Sequence, residues 1–352
     1  MAVVVLSPRA LNRTVLSRQL LLERSSLTVL RALERVAGLQ TQYAPSGYIG
    51  LWSRLTGFKR SALTRALVRR QVVQATMMRA TIHMTSAADY GLFTAGVRRH
   101  RRQWWERVQR RELAGVDLGA AVDIVRAELA AGPRKASDVA AALADAGFPR
   151  IAWHSVGEYL DLVRVPPSGT WERRRADLYG LADNEVGSLP TDEDAGITHL
   201  LTRYLAAFGP APLSSTANWA GLPLAAVKAA AQRLTLRQFV DGEGGDLVDL
   251  PRRRLVEPDA EAPVRFLPTW DATLLAHARH AHILPERFRE QIFNTKTPQS
   301  IPTFLVDGVV AGTWQYKDNA VQVQPFEPVP RRWRRAVDEE AGSLQAWFRA
   351  DG

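Results

Sequence analysis

The sequence predicts an α+β, mainly helical protein of tandem winged-helix modules followed by a β-rich C-terminal region. Three observations carry this. Gly132-Pro133 and Gly209-Pro210 stand 77 residues apart, as do Ser137 and Ser214, and similarity at one fixed offset signals a duplicated unit. Each copy continues into a further helical stretch and then a pair of strands, which is the winged-helix order. Beyond about residue 256 short alternating strands take over, with Asp307-Gly308 between two of them, a strong hairpin signal.

In the first module, 1–115, helices fit 8–23 and 26–37, then a loop rich in Gly, Pro and Tyr, then a helix at 61–70. A hairpin follows from Val72–Met78 and Ala80–Met84, and 87–113 reads as a long arginine-rich helix. The second module, 116–190, opens with an amphipathic helix at 119–131, and the third, 191–255, with one at 196–208. The glycine of each Gly-Pro caps the helix and the proline prevents its continuation. Ser137 and Ser214 are expected to N-cap the second helices, with Gly147 and Gly221 ending them. Third helices fit 154–162 and 223–235. A wing hairpin then runs from Leu162–Val165 to Ala176–Leu181 in one copy and over 238–250 in the other. The final region, 256–352, holds the hairpin at 302–314, a strand at 321–324 and an amphipathic helix at 330–349.

Composition narrows the function classes. The 352 residues are 46% apolar, enough for several compact modules. No apolar run approaches the roughly 18–20 residues that span a bilayer, and the start lacks a basic n-region, so neither a signal peptide nor a membrane span is expected. There is no cysteine, which excludes disulfides, cysteine zinc sites and iron–sulfur clusters and fits a cytoplasmic location. Lys and Arg number 46 against 36 Asp and Glu, a net charge of +10. Such a surplus favours a polyanion; a plain solubility surplus is the alternative.

The stretch after the second helix reads Leu39-Gln40-Thr41-Gln42-Tyr43. Residues two apart in an extended chain project to one side, so Gln40 and Gln42 are expected to present two carboxamides to one point. Each offers an acceptor oxygen and two donor hydrogens. Such a pair can hold a water against C1′ of a deoxyribose without being a strong base. It suits a leaving group that needs no general acid: a purine alkylated at N7 or N3 is already cationic and departs neutral. Positioning and preorganised dipoles do the rest. Alone, a Gln-x-Gln triplet is ordinary surface polarity.

The surroundings change that weight. Arg79-Ala-Thr-Ile-His83, Phe208-Gly-Pro with Trp219-Ala-Gly221, Leu267-Pro-Thr-Trp-Asp271 and the segment Phe304–Trp314 follow in order. With Leu39–Gln42 this set resembles the AlkZ/YcaQ-like winged-helix DNA glycosylases of bacteria over nearly the whole chain. The resemblance implies a catalytic signature of Gln, a hydrophobic residue, then Gln or Asp; here Thr41 takes the middle place. A Gln at the last position makes the chain look more like the AlkZ branch, associated with bulky natural-product adducts and crosslinks. It further implies duplex DNA with an alkylated purine as substrate, a lesion engaged near the helix, and a C-terminal hairpin that enters the minor groove. Nothing marks a lysine as a Schiff-base nucleophile, so a monofunctional, cofactor-free enzyme is expected, and the lack of a coiled coil or long apolar interface helix favours a monomer.

Beyond the catalytic Gln40 and Gln42, the expected DNA contacts are Tyr43, Arg79, His83, Arg173, Arg174, Arg175, Lys296 and Trp314. Each has a plainer alternative. His83 also reads as a satisfied core histidine, Arg173–Arg175 as solvation of a hairpin tip, and the Phe304–Trp314 hairpin as sheet packing. The run Arg98-Arg-His-Arg-Arg102 with Trp104-Trp105 reads better as a solvated helix face with core tryptophans than as a phosphate clamp. His277, His280 and His282 lack an accompanying carboxylate or cysteine set, so no metal is expected. A non-catalytic DNA-binding regulator or drug-sequestering protein would use the same modules. Two converging amides outside a recognition helix favour an enzyme.

Overall fold

A computed structural model describes residues 4–275, 283–294 and 299–350. The first third runs β1 (Val4–Leu6), α1 (Pro8–Arg18), α2 (Val29–Val36), β2 (Leu39–Gln40), α3 (Ala44–Arg54), α4 (Arg60–Val68), β3 (Val72–Thr76), β4 (Ile82–Ser86) and α5 (Ala87–Val108). Then come α6 (Leu118–Ala130), β5 (Arg134–Lys135), α7 (Ala136–Asp145), α8 (Ile151–Val156), β6 (Leu162–Arg164), β7 (Leu178–Leu181) and α9 (Ala182–Val186). They are followed by α10 (Glu193–Phe208), α11 (Leu213–Ala220), α12 (Leu224–Ala231), β8 (Arg237–Asp241) and β9 (Asp246–Asp249). The last part holds β10 (Arg265–Leu267), α13 (Ala272–Leu275), α14 (Arg289–Ile292), β11 (Phe293–Asn294), β12 (Gln299–Ser300), β13 (Thr303–Val306), β14 (Val309–Lys317), β15 (Ala320–Pro325) and α15 (Arg331–Arg349).

Local chemistry sets several boundaries. Ser7, Thr28, Ser86, Asp117 and Asp192 accept the N–H three residues on and so cap α1, α2, α5, α6 and α10. Ser137 and Ser214 do not cap: α7 starts after the extended Lys135, and α11 after Pro212. A proline fixes its own φ and can open a helix without a side-chain cap. Gly221 does end α11, in the left-handed conformation at φ 73°. Several predicted helices are shorter than expected: α1 ends at Arg18, α2 spans Val29–Val36, α5 ends at Val108, α8 runs from Ile151 to Val156, and α12 ends at Ala231.

The segment expected as a loop between α2 and α4 is the fully buried helix α3. Its glycines serve close packing: a Cβ at Gly47 would lie 2.7 Å from Met84 Cε and 3.0 Å from Thr41 Cγ2. Pro45 occupies the first turn, where its missing N–H costs nothing.

The largest sheet has the order β2-β4-β3-β6-β7-β5. It crosses the expected limit at residue 115, because β3 pairs with β6 through Gln74↔Arg164 and Ala75↔Val163. A second sheet, β10-β13-β14-β15, belongs to the C-terminal part. The apolar patch at the start of the chain is β1, which pairs in parallel with β8. The core is shared in the same way. One cluster reaches from Val15 through Tyr204 to Val310, and another joins Leu33, Tyr48 and Trp171 to Phe304 and Leu344. Among the described residues, the stretch from Ala121 to Leu160 has a cluster of its own. Periodicity reveals which residues are apolar but not which distant partner covers them.

Candidate active site

Gln40 and Gln42 lie on an edge of the largest sheet. β2 pairs with β4 so that Leu39 faces Met84 and Gln40 faces His83; Thr41 continues the ladder by donating to the Ile82 carbonyl at 2.8 Å. Opposed residues in an antiparallel pair share one face, so Gln40 and His83 stand side by side. Gln40 is buried, whereas Gln42 and Tyr43 are exposed at the start of α3. Both carboxamides are oriented by donors that cannot accept. Gln40 Oε1 accepts from Arg79 Nη2 at 3.0 Å, and Gln42 Oε1 accepts from the Ile82 backbone N–H at 2.8 Å. A carbonyl oxygen has two lone pairs. Each glutamine oxygen therefore keeps one for a further donor.

Thr41 is fully buried between them, its methyl group against Gly47. It fills an apolar slot, and its Oγ1 has no hydrogen-bond partner among the described residues.

Arg79 stands on the turn Met78–Ala80 between β3 and β4, with left-handed backbone at φ 54°. Its side chain turns inward, giving Nη1 to the Trp219 carbonyl as well as Nη2 to Gln40. The ordered pieces Arg79–His83 and Trp219–Gly221 thus meet at the site, a contact the sequence did not reveal. Burial lowers the Arg79 pKa to about 10, which leaves a cation at neutral pH. His83 is driven down to about 3, first by burial and then by the Arg79 charge. It is neutral, and because the Thr81 carbonyl only accepts, the proton sits on Nδ1, 3.0 Å from that oxygen.

Around this centre the other expected contacts divide. Arg174 lies close: its Nη1 donates to Tyr43 Oη at 3.2 Å and its guanidinium sits over the Trp171 ring, 5.2 Å from the centroid. The loop carrying it is fixed, since Ser168 Oγ accepts from the N–H groups of Asp177 and Leu178 and donates to the Arg175 carbonyl. Arg173 and Arg175 are exposed on the same loop. Trp314 is 4% exposed and belongs to the core, with its Nε1 bonded to the Leu267 carbonyl at 3.0 Å. The Phe304–Trp314 hairpin has the expected turn, with Asp307 and Gly308 both at positive φ. That turn is pinned to α1: Asp307 pairs with Arg9 and Arg13, and Asn12 Nδ2 donates to the Gly308 carbonyl at 2.9 Å. It is not a free tip. Lys296, His277, His280 and His282 lie outside the described residues.

The arginine run on α5 is internal wiring. Arg98 pairs with Asp161, Arg99 with Glu193, Arg101 with Glu158 and Arg102 with Glu106. Trp105 Nε1 donates to Ser155 Oγ at 2.9 Å. The contacts of Arg98, Arg99, Arg101 and Trp105 tie α5 to its neighbours, while the Arg102–Glu106 pair lies within α5 itself.

The C-terminal part braces the site from behind. Arg54, at the end of α3, makes two 2.9 Å bonds to Asp271, both side chains fully buried. Burial alone would raise the Asp271 pKa, but Arg54 and Thr273 hold it below its usual value. Ser46 and Thr269 share a 2.7 Å hydroxyl hydrogen bond. The segment Leu267–Asp271 thereby sets the helix whose first turn follows Gln42.

A family model described as "DNA glycosylase AlkZ-like" matches residues 33–347. A curated protein of Streptomyces sahachiroi, "Interstrand DNA cross-link repair glycosylase", is 23% identical over 365 residues, covering 94% of this chain and 93% of its own. The solved structure of Streptomyces sahachiroi DNA glycosylase AlkZ superposes with a TM-score of 0.81 at 18% identity, over 98% of this chain and 97% of that one.

Proposed function

Because this chain belongs to the AlkZ-like DNA glycosylase family, we propose that it is a monofunctional enzyme that hydrolyses the N-glycosidic bond of cationic N7- or N3-alkylated purines in duplex DNA, bulky adducts and interstrand crosslinks included. The observation that carries this is the pair of glutamine oxygens, each fixed by a donor-only partner on one sheet edge, Gln40 by Arg79 and Gln42 by Ile82 N–H. Their remaining lone pairs accept the hydrogens of one water and turn its oxygen toward C1′. The C1′–N9 bond breaks, its electrons neutralise the cationic purine, and the water adds to C1′ with loss of a proton to solvent. No residue has to protonate the leaving base. Gln42 and Tyr43 are open to solvent, which suits a lesion engaged near the duplex and an adduct too large for a closed pocket. Tyr43 with Arg173, Arg174 and Arg175 forms the proposed duplex-facing rim.

The element orders α6-β5-α7-α8-β6-β7 and α10-α11-α12-β8-β9 support reading 116–190 and 191–255 as winged-helix units. The name of the Streptomyces relative supports crosslink repair as the setting.

The test is a duplex with one 7-methylguanine. Wild-type protein is expected to release the free base and leave an alkali-labile site. Gln42→Ala is expected to slow single-turnover release by about a hundredfold or more while DNA affinity stays near wild type. Loss of affinity and rate together would remove Gln42 from the chemistry. A wild-type protein that only shifts the band would be a non-catalytic binder. Strand separation of a duplex crosslinked through guanine N7 atoms tests the crosslink substrate.

A further inference from the structure

Arg79, an expected DNA contact, has a side chain that joins two distant parts of the site. Its guanidinium donates to two neutral oxygens, the Trp219 carbonyl and Gln40 Oε1. We infer that Arg79 is a positioning residue for base release: it fixes which end of the Gln40 carboxamide faces the substrate, and the Trp219–Gly221 segment fixes Arg79 in turn. This rests on the hydrolytic reading of Gln40 and Gln42.

Three features support it. The two ends of a carboxamide are nearly isosteric, so an unconstrained glutamine presents oxygen or NH2 with little preference; a donor-only neighbour removes that ambiguity. Ile82 N–H does the same for Gln42. Next, the position is held at a conformational cost. Arg79 and Ala80 both lie at φ 54°, a region that non-glycine residues avoid unless the surroundings over-determine it. The surroundings do so here, because Gly221 approaches so closely that a Cβ on it would stand 3.1 Å from Arg79 N and 3.2 Å from Arg79 Cα. Finally, the bridge needs a fork. Lysine offers a point charge and cannot span two acceptors in fixed geometry. The arginine also borders a cavity of about 210 Å³ with Met77, Val97 and Trp104, so shortening it extends an existing space instead of opening a packed core.

The experiment measures single-turnover release and affinity on the 7-methylguanine duplex for wild type, Arg79→Lys, Arg79→Met, Gln40→Ala and the Arg79→Met/Gln40→Ala pair. Both Arg79 variants are expected to lose about tenfold to a hundredfold in rate, with affinity for DNA retained. Adding Arg79→Met to Gln40→Ala is expected to cost little further rate, because the arginine acts through the glutamine. Multiplicative losses would overturn the inference. So would a fall in affinity with a salt slope reduced by about one, the mark of a phosphate contact. Should Arg79→Met fail to fold, Arg79→Lys decides alone: it keeps the charge, and a wild-type rate in that variant rules the bridge out. Failure of the hydrolytic reading would be visible separately, as absence of base release by the unaltered protein.

Discussion

Thr41 occupies the place between the two glutamines where the family pattern carries a hydrophobic residue, and its surroundings agree with that pattern. It is fully buried, with an unpartnered hydroxyl among the described residues. Burying a hydroxyl without a partner costs on the order of 1–3 kcal/mol. Thr41→Val is therefore expected to raise stability by about 1 kcal/mol, seen as a higher urea midpoint at unchanged slope; a lower midpoint would mean the hydroxyl is satisfied in solution. His83 carries a pH signature. Its pKa of about 3 lies below the usual value, so between roughly pH 6.5 and pH 3 the unfolded chain binds a proton that the fold refuses. Stability should fall as pH drops through that window, by up to about 1.4 kcal/mol per pH unit from this group. His83→Gln should flatten the fall between pH 7 and pH 4.5, and an unchanged pH profile would place the sensitivity elsewhere.

At the scale of elements, what the sequence discloses is what is decided locally. The Asp307-Gly308 turn, the strands around Val72–Met84 and the long helix from Ala87 depend on near neighbours in sequence, and they begin within two residues of where the pattern puts them, although the second strand is shifted to Ile82–Ser86 and the helix ends at Val108. Helix α3 was hidden because its Gly47 and Gly50 signal a loop locally, while their purpose is contact with Met84 and Leu39. The two glutamines were legible through the ordered motifs, but their orienting donors were not: Arg79 meets Trp219 across 140 positions of sequence, a contact no spacing rule encodes. The brace between α3 and the C-terminal part allows a strong test. Removing one member of a buried ion pair leaves an uncompensated charge, typically at a cost of about 3–5 kcal/mol. Asp271→Ala should lower stability by that amount in a denaturant titration; a change under about 1 kcal/mol would show that Arg54 finds water instead.

For the whole molecule, the net charge of +10 overstates what is free for DNA. Arg98, Arg99 and Arg101 on α5 are matched with carboxylates outside that helix, whereas Arg173, Arg174 and Arg175 are exposed on the loop that reaches Tyr43, Arg175 with Asp177 of its own loop at 3.3 Å. Each phosphate contact adds about 0.9 to the slope of log affinity against log salt. Replacing Arg173, Arg174 and Arg175 together by Ala should flatten that slope by about two to three, and replacing Arg99 should leave it alone; the reverse pattern would move the duplex to the α5 face. The continuous sheet from β2 to β5 has a practical corollary for anyone seeking a minimal catalyst. A gene fragment stopping near residue 115 would keep both glutamines yet strip β3 of its neighbour β6, exposing a raw margin of N–H and C=O groups that invites self-association. The smallest excision tool obtainable from this chain must therefore extend well past the stretch proposed to face the sugar.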